Sequence, residues 1–249
     1  MGSFELKIPG YLRRGNLKGD EDVYVDSGAK LLALMASRLG LEDLGNSRVL
    51  DFGCGTKFTQ AILSRNLPIA RYVGIDVYSD MIHFLQENVV DPKFCFHHVD
   101  LHNEMYNPGW QPIAETRELP TSEKEFDIIC LFSVVTHLAP HDYVPMLKLL
   151  RNYIHPRGKL VFSLFVNELT PGGHGCMDGM MKAFAAADAS VQEKQRASFE
   201  EAKRNQGPPD FVDVYPEQPL KVAMYSRKYA LELMENTGWK VDSLNDPEE

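Results

Sequence analysis

Two glycines and two aspartates at the ends of neighbouring apolar segments are the residues of this chain best suited to chemistry. Residues 49–56 read VLDFGCGT, and residues 74–76 read GID. An apolar strand that ends on an acid and turns through Gly-x-Gly brings backbone against a nucleotide-like ligand, because glycine permits the tight turn and carries no side chain to block the ligand. Asp76, at the end of a second strand, is placed to accept hydrogen bonds from a ribose diol. The pattern predicts a nucleotide-like binding site at these strand ends.

The elements that would position these residues alternate between strands and helices. Apolar runs bounded by turn residues predict strands, and apolar residues at helical spacing predict helices between them. The predicted strands cover residues 48–52, 71–76, 94–99, 126–132, 159–166 and 239–244; the predicted helices cover residues 25–39, 58–65, 79–88, 144–154, 177–205 and 226–236. Such alternation indicates a parallel sheet covered on both faces, with ligands at the carboxyl ends of its strands.

Charge and cysteine content exclude some classes of protein. The chain has 26 basic and 35 acidic residues, a net charge of -9, and no dense Lys/Arg cluster, which argues against nucleic acid bound over a broad face. Four cysteines without a CxxC pair (Cys54, Cys95, Cys130 and Cys176) predict reduced thiols and a cytoplasmic protein. The first 20 residues carry charges and glycines, and no apolar run of 18 residues occurs, so we expect neither a signal peptide nor membrane insertion.

Phe58 narrows the choice of ligand. A nicotinamide or flavin site would require a third glycine at this position, and a triphosphate loop would require Gly-Lys-Ser/Thr, which is absent at that spacing. A lone Gly-x-Gly is weak evidence, because a purely structural turn would explain most instances. An ordered set of several motifs along the chain is more specific.

Over roughly residues 25–245, that ordered set resembles the class I S-adenosylmethionine-dependent methyltransferases. Residues 49–56 resemble the family's glycine loop, and residues 73–77 resemble its ribose-binding strand end. Residues 99–101 match the position of the acid that meets adenine. Residues 126–133 resemble the strand that closes the pocket, and residues 157–160 resemble the turn before strand five. The resemblance implies a Rossmann-like, doubly wound α/β fold. Its sheet would be mostly parallel, with helices on both faces and an α-helical insertion after strand five.

The resemblance also implies roles around bound S-adenosylmethionine. Asp51 would orient the methionine end, directly or through water, while the backbone at Gly53 and Gly55 lies against the cofactor. Asp76 would accept from both ribose hydroxyls and Asp100 from the adenine amine. The whole predicted cofactor set is Asp51, Phe52, Gly53, Cys54, Gly55, Asp76, Val77, Asp100, Leu101 and Phe132, and no metal is expected. The alternative for Asp51 and Asp76 is solvation of a strand end or capping of a helix. The alternative for Asp100 is a role in a loop turn.

A single methyltransferase domain is expected, because 249 residues fit one large α/β domain better than two independent folds. Its predicted parts are an N-terminal helical cap (1–46), a cofactor-binding core (47–166), a substrate-cap insertion (167–222) and a C-terminal helix and strand (223–249). The family's fold normally ends with an antiparallel seventh strand. Only residues 245–249 follow the predicted sixth strand, so a clipped chain and a differently completed sheet edge both remain open.

Methyl transfer from a sulfonium is an in-line displacement that needs alignment and no protein nucleophile. A hydroxyl acceptor gains from a base, and His137, just beyond strand four, is the candidate. Packing of the loop or capping of the next helix is its alternative role. His141 lies four residues later, but Pro140 breaks the geometry that a metal pair would need. His174 could enter the site from the insertion, with a surface loop as the alternative.

Residues 101–125 and 167–222 are expected to bind the acceptor, because variable connections on a fixed sheet carry specificity. They contain the aromatic residues Tyr106, Trp110, Phe184, Phe199, Phe211 and Tyr215, which suit stacking on a sugar or ring, although a plain cap core explains them equally. Tyr11, Arg13 and Arg14 could fold over the cofactor carboxylate or form a solvated N-terminal segment.

The leading hypothesis is O-methylation of a small molecule, at a hydroxyl of a sugar, lipid-linked or secondary-metabolite acceptor. The alternatives are an N-methyltransferase, a protein or nucleic-acid methyltransferase, and a non-catalytic cofactor-binding partner subunit. Ser133-Val134 stands where a nucleic-acid enzyme would carry Asn/Asp-Pro-Pro-Tyr/Phe. Monomer and homodimer both remain open.

Overall fold

The computed structural model describes residues 6–13, 20–103, 107, 109, 111–170, 172–173, 175–186, 210–215 and 217–245. The chain divides into two compact units, residues 1–134 with 152–162, and residues 135–151 with 163–249. The expectation of a single domain therefore stays a prediction, and each unit is described in turn.

A five-stranded parallel sheet forms the centre of the first unit. Its strands, in the order β3-β2-β1-β4-β5, are β1 (Leu44–Phe52), β2 (Ile69–Asp76), β3 (Phe94–His98), β4 (Phe126–Leu131) and β5 (Ile154–Phe162). The order of strands reverses between β1 and β4, so the topological switch point lies at the carboxyl ends of these two strands. The predicted α/β class with a Rossmann-like, mostly parallel sheet is confirmed.

Three helices of the first unit contribute to its apolar core: α1 (Glu21–Arg38), α2 (Lys57–Arg65) and α3 (Ser79–Asn88). Helix α1 begins earlier than predicted because the Asp20 carboxylate accepts from the backbone N–H of Val23 at 3.0 Å, a stabilising N-cap. Its apolar residues share the core with Val49 and Tyr72 of the sheet.

The second unit contains α4 (Pro140–Leu150), β6 (Phe165–Val166), α5 (Cys176–Ala186), β7 (Phe211–Asp213), β8 (Ala223–Tyr225) and α6 (Arg227–Met234). Strand β8 is the middle of a small sheet, parallel to β6 and antiparallel to β7. The ring of Tyr225 packs against Phe211 and Tyr143, with centroids 5.2 and 5.6 Å apart. No helix in the described parts of either unit is long and apolar enough to span a membrane.

Two strand predictions were wrong. Residues 239–244, all described, form no strand; instead the indole N–H of Trp239 donates to the carbonyl of Leu147 at 2.8 Å, and the Arg151 guanidinium lies 5.2 Å from the ring centroid. This tertiary anchoring overrides the strand propensity of the segment. Strand five spans Ile154–Phe162 rather than 159–166, with its pairing to β4 shifted between Phe126 and Ile128.

Other boundaries differ less. Strand β1 starts at Leu44 rather than at residue 48, with an irregular register between Leu44 and Arg48. The helix predicted over 177–205 is described only as α5, and the rest of that prediction lies outside the described residues. Strands β2, β3 and β4 agree with their predictions to within two residues.

Candidate functional site

The glycine turn after β1 is held against β2 by backbone hydrogen bonds. The N–H groups of Gly53 and Cys54 both donate to the Ile75 carbonyl, at 2.7 and 3.1 Å. Gly53 has φ +75°, and a Cβ added there would lie 2.3 Å from a methyl carbon of Val134. Both the left-handed conformation and this close approach require glycine at the first position.

The second glycine, Gly55, faces open space. Its φ is +51°, and a Cβ added there meets no atom within 4 Å. Packing of the protein therefore gives no reason for the missing side chain, although the positive φ does favour glycine. The backbone at this point has open space where a side chain would stand, as a closely approaching ligand requires.

Asp76 ends β2 beside this open backbone. One of its carboxylate oxygens accepts from Gly55 N–H and the other from Tyr78 N–H, each at 3.0 Å. A carboxylate oxygen has more than one acceptor position, so these two hydrogen bonds do not by themselves use up the acceptor capacity of the group. The same residue braces the glycine turn and presents a negative charge at the strand end.

Asp51 lies beneath the turn and is 2% exposed. Its carboxylate accepts from the Tyr72 hydroxyl at 2.5 Å. Burial raises the pKa of Asp51 to about 7, and the charge of Asp76 adds to the rise, while hydrogen bonds from Tyr72 and Cys130 oppose it. The charge of this carboxyl therefore changes near neutral pH.

Cys54 stands between the two glycines with its side chain buried in the first unit. A Cβ added at Gly74 would lie 2.9 Å from its sulfur, so a glycine on β2 makes room for this thiol. Burial raises the pKa of Cys54 well above its ordinary value, and the charges of Asp76 and Asp51 add to this. The thiol stays protonated at neutral pH, which is consistent with a packing role.

The third predicted acid, Asp100, follows β3 and has a side chain 48% exposed. The preceding residue, Val99, is hydrogen-bonded to the neighbouring strand end, because its N–H donates to the Asp76 carbonyl at 3.0 Å. His98 lies between them, with Nδ1 3.5 Å from the Asp100 carboxylate and Nε2 3.2 Å from the Val77 carbonyl. His98 is not among the predicted cofactor residues, although it lies two residues before the predicted acid.

Two aromatic rings explain the missing third glycine. Phe58, in the first turn of α2, meets Phe132 edge to face, with ring centroids 5.2 Å apart and planes at 78°. Phe132 is partly buried, while Phe52 and Leu101 are buried. The predicted cofactor residues thus all lie in the first unit, where the strand ends bring Gly55 and Asp76 into contact.

His137 belongs to the second unit, in a 3-10 turn over Val135–His137. Its Nδ1 lies 3.1 Å from the Leu220 carbonyl oxygen. Burial lowers the pKa of His137, and the opposing effect of the Leu220 and Lys221 backbone is smaller. The ring is therefore neutral at pH 7. His141 is largely exposed and lies 3.5 Å from the Asp142 carboxylate.

Several other predicted residues can be placed, and some cannot. Arg13 pairs with Glu21 at 2.9 Å, and the Tyr11 side chain is exposed. Phe211 packs on Tyr225 as described above, and Tyr215 is 37% exposed. The other positions (Arg14, Tyr106, Trp110, His174, Phe199 and the side chain of Phe184) lie outside the described residues. Among the described residues, no group of three or more His, Cys, Asp or Glu could hold a metal ion.

Comparison with known proteins gives a family. A family model described as a methyltransferase domain matches residues 27–244 of this chain. The fold is similar to that of an S-adenosylmethionine-dependent methyltransferase from Mesorhizobium loti, with 18% identity, 53% of this chain and 52% of that chain covered, and a TM-score of 0.38. A Leishmania major S-adenosylmethionine-dependent methyltransferase gives 18% identity, 61% and 55% coverage, and a TM-score of 0.44.

A third similar structure is an S-adenosylmethionine-bound amino pentose methyltransferase of calicheamicin biosynthesis from Micromonospora echinaspora, with 18% identity, 60% and 55% coverage, and a TM-score of 0.40. The matched region spans only about half of the length of each of these three chains. Similarities at this level say nothing about the acceptor. The family model, in contrast, covers most of the present chain, including the glycine turn and all three acids. The chain therefore belongs to the class I S-adenosylmethionine-dependent methyltransferases.

Proposed function

We propose that this chain transfers a methyl group to a hydroxyl of a small-molecule acceptor, in the class of sugars, lipid-linked compounds or secondary metabolites. The observation that carries the proposal is the open backbone at Gly55 beside the Asp76 carboxylate, where a Cβ would meet nothing within 4 Å. This arrangement fits the nucleoside part of S-adenosylmethionine. When bound, that cofactor supplies an electrophilic methyl group on a sulfonium and leaves as S-adenosylhomocysteine.

Three carboxylates would each bind a different part of the cofactor. Asp76 would accept from the ribose hydroxyls at the end of β2, where its carboxylate also accepts from the N–H groups of Gly55 and Tyr78. Asp100, half-exposed at the end of β3, would accept from the adenine amine. Asp51 would orient the methionine end, and its charge would favour the ammonium group there. The apolar residues Val77, Leu101 and Phe132 would flank the adenine and the inner side of the cofactor.

His137 would remove the proton of the acceptor hydroxyl. A base must be neutral before it acts, and burial lowers the pKa of His137, so the neutral ring predominates at pH 7. A hydroxyl acceptor needs such a base more than a neutral amine does. This difference is the reason for preferring O-methylation to N-methylation.

The other parts of the proposal rest on charge and thiols. A net charge of -9 disfavours nucleic-acid partners, and four free cysteines suit a reducing compartment such as the cytosol. The homodimer stays a proposal to be tested by sedimentation of the purified chain.

The test is turnover with isotopically labelled S-adenosylmethionine against a panel of sugars, phenols, acids and amines, with products identified by mass. We expect a labelled hydroxyl compound, and we expect His137→Ala to lower kcat by about 10²–10⁴-fold while cofactor affinity holds. His141→Ala, a change at an exposed histidine nearby in sequence, is the matched control.

Three results would contradict parts of this proposal. Label found on amines would favour an N-methyltransferase, and label found on protein or RNA would favour a macromolecular substrate. Cofactor binding without turnover across the whole panel would favour a non-catalytic partner subunit. Undiminished turnover by His137→Ala would remove the base assignment.

A further inference from the structure

We infer that Tyr24 of α1 is a positioning residue for the cofactor site, because its hydroxyl holds Thr56 and thereby the backbone of Gly55. The inference rests on the proposed assignment of the open backbone at Gly55 to the cofactor. Neither Tyr24 nor Thr56 belongs to the predicted cofactor set. Tyr24 would act through the glycine turn, and its effect would be seen in the affinity for S-adenosylmethionine.

The side chains of Tyr24 and Thr56 form a buried hydrogen bond between two elements of the first unit. Their hydroxyl oxygens lie 3.1 Å apart, and each residue is 1% exposed. Thr56 directly follows Gly55 and directly precedes α2. Because both residues are buried, water is poorly placed to replace a lost partner. The bond therefore ties α1 to the residue next to the open backbone.

The Thr56 hydroxyl does not make the hydrogen bond that its position favours. Thr56 is the N-cap residue of α2, where a threonine hydroxyl ordinarily accepts from a backbone N–H of the first helical turn. In α2, which is described from end to end, the Thr56 side chain makes no such cap. The hydroxyl is directed instead at Tyr24, 32 residues earlier in the chain. A contact with α1 thus takes the place of local stabilisation of the helix.

Helix α1 also contacts the residue that follows Thr56. The Lys57 ammonium lies 5.2 Å from the centroid of the Tyr24 ring, a cation–π contact. One helical turn further along α1, a Cβ added at Gly28 would lie 2.9 Å from both Cγ and the carbonyl oxygen of Lys57. The absence of a side chain at Gly28 lets the two helices approach closely here. Positions 24 and 28 lie on one face of α1, so this face holds the two residues that follow Gly55.

Gly55 is therefore supported from two sides. Its N–H donates to the Asp76 carboxylate at 3.0 Å on the side of β2, and Thr56 is held by Tyr24 on the side of α1. A backbone that is fixed before the ligand arrives loses less conformational freedom on binding. When the tie to Tyr24 is removed, part of the population leaves the binding arrangement, and the apparent affinity falls by that fraction.

The test is a double-mutant cycle on the affinity for S-adenosylmethionine, measured by calorimetry. Tyr24→Phe deletes one hydroxyl, and Thr56→Val replaces the other by a methyl group. We expect each single variant to bind about fivefold more weakly, as for one lost hydrogen bond, and the double variant to bind no more weakly than either. This comparison separates the pair from any other contact of Tyr24. Thr56→Ser keeps the hydroxyl and should bind as wild type does.

Tyr153→Phe is the matched control. Tyr153 is a buried tyrosine of the same unit, and its hydroxyl accepts from the Leu119 N–H at 2.7 Å. We expect this variant to have a lower free energy of unfolding in urea and an unchanged affinity for S-adenosylmethionine. A merely structural role for Tyr24 would give the same pair of results.

The outcomes separate this inference from the assignment on which it rests. Wild-type affinity of folded Tyr24→Phe or of folded Thr56→Val overturns the inference, so either variant suffices if the other does not fold. A loss of about 25-fold in the double variant also overturns it, because the two hydroxyls would then act independently. Full affinity of Gly55→Ala instead overturns the assignment of the open backbone to the cofactor.

Discussion

Asp51→Asn is expected to stabilise the free protein at alkaline pH and to weaken its cofactor site. The folded protein raises the pKa of Asp51 from its ordinary value of 3.8 to about 7, chiefly by burial. Between these two values the folded chain holds a proton that the unfolded chain has released. By linkage, the free energy of unfolding then falls as the pH rises through this window, and the fall ends above pH 7.

The size of the effect follows from the shift. Each pKa unit corresponds to 1.36 kcal/mol, so the full window amounts to about 4 kcal/mol, of which about 2–3 kcal/mol falls between pH 5 and pH 8. Asparagine has nearly the same volume and keeps an oxygen that can accept from the Tyr72 hydroxyl. It does not ionise, so this part of the pH dependence is absent from the variant.

The assay is urea unfolding of wild type and Asp51→Asn at pH 5 and pH 8 without cofactor. We expect the variant to gain about 2–3 kcal/mol relative to wild type between the two pH values, whatever constant offset the substitution brings. Other titrating groups, such as His97 and His137, are present in both proteins and cancel in the comparison. Parallel pH dependences of the two proteins would refute the reasoning.

The affinity for the cofactor should rise with pH, whereas the free energy of unfolding falls. Wild-type affinity for S-adenosylmethionine, measured by calorimetry, should rise from pH 6 to pH 8 as Asp51 ionises, because the carboxylate form favours an ammonium ligand. Asp51→Asn should bind more weakly, with little change over this range. Asp100→Asn, which removes a half-exposed carboxyl from a neighbouring strand end, controls for the loss of one negative charge in the unfolding assay.

The remaining predictions concern the residues around Asp51. Gly53→Ala should cost about 2–4 kcal/mol in urea unfolding, because its Cβ would lie 2.3 Å from Val134 at φ +75°. Gly55→Ala should lower the free energy of unfolding by only about 1 kcal/mol, since the added Cβ meets no other atom. The same variant should bind S-adenosylmethionine at least about tenfold more weakly by calorimetry. Equal affinity of the two proteins would refute the assignment of this open space to the cofactor. Tyr72→Phe removes a hydrogen bond that lowers the pKa of Asp51, so the rise of cofactor affinity with pH should move to higher pH; an unmoved profile would exclude this coupling.

The sequence predicted the sheet well where strands are apolar and parallel. Strands β2 and β4 have a neighbouring strand on each side and are mostly buried, and their apolar runs mark their positions. The segment 239–244 has comparable propensity but no strand, because Trp239 finds its hydrogen bond on Leu147 instead. A partner distant in sequence decided that structure, and such a partner leaves no local signal.

The same distinction applies to the site. Gly53, Gly55 and Asp76 could be predicted to lie together, because the carboxyl ends of adjacent parallel strands meet at one edge. The hydroxyl of Tyr72 on Asp51 could not, since it depends on the register that pairs Val49 with Tyr72. The hydroxyl of Tyr72 beside the apolar residues Val73 and Ile75 was the available hint. Contact between positions 137 and 220 spans 83 residues and had no signal at all.

The two backbone hydrogen bonds of Asp76 affect how this residue can be used to recognise active relatives by sequence. Because its carboxylate accepts from the N–H groups of Gly55 and Tyr78, selection would retain it for the shape of the turn in a descendant that had stopped binding any nucleoside. Its presence alone is then a poor marker of activity. Substitution of Gly55 by a residue with a Cβ would cause no clash within the protein, because the added atom meets nothing within 4 Å. In a related sequence, a side chain at position 55 would therefore indicate the loss of methyltransferase activity more clearly than a change at position 76.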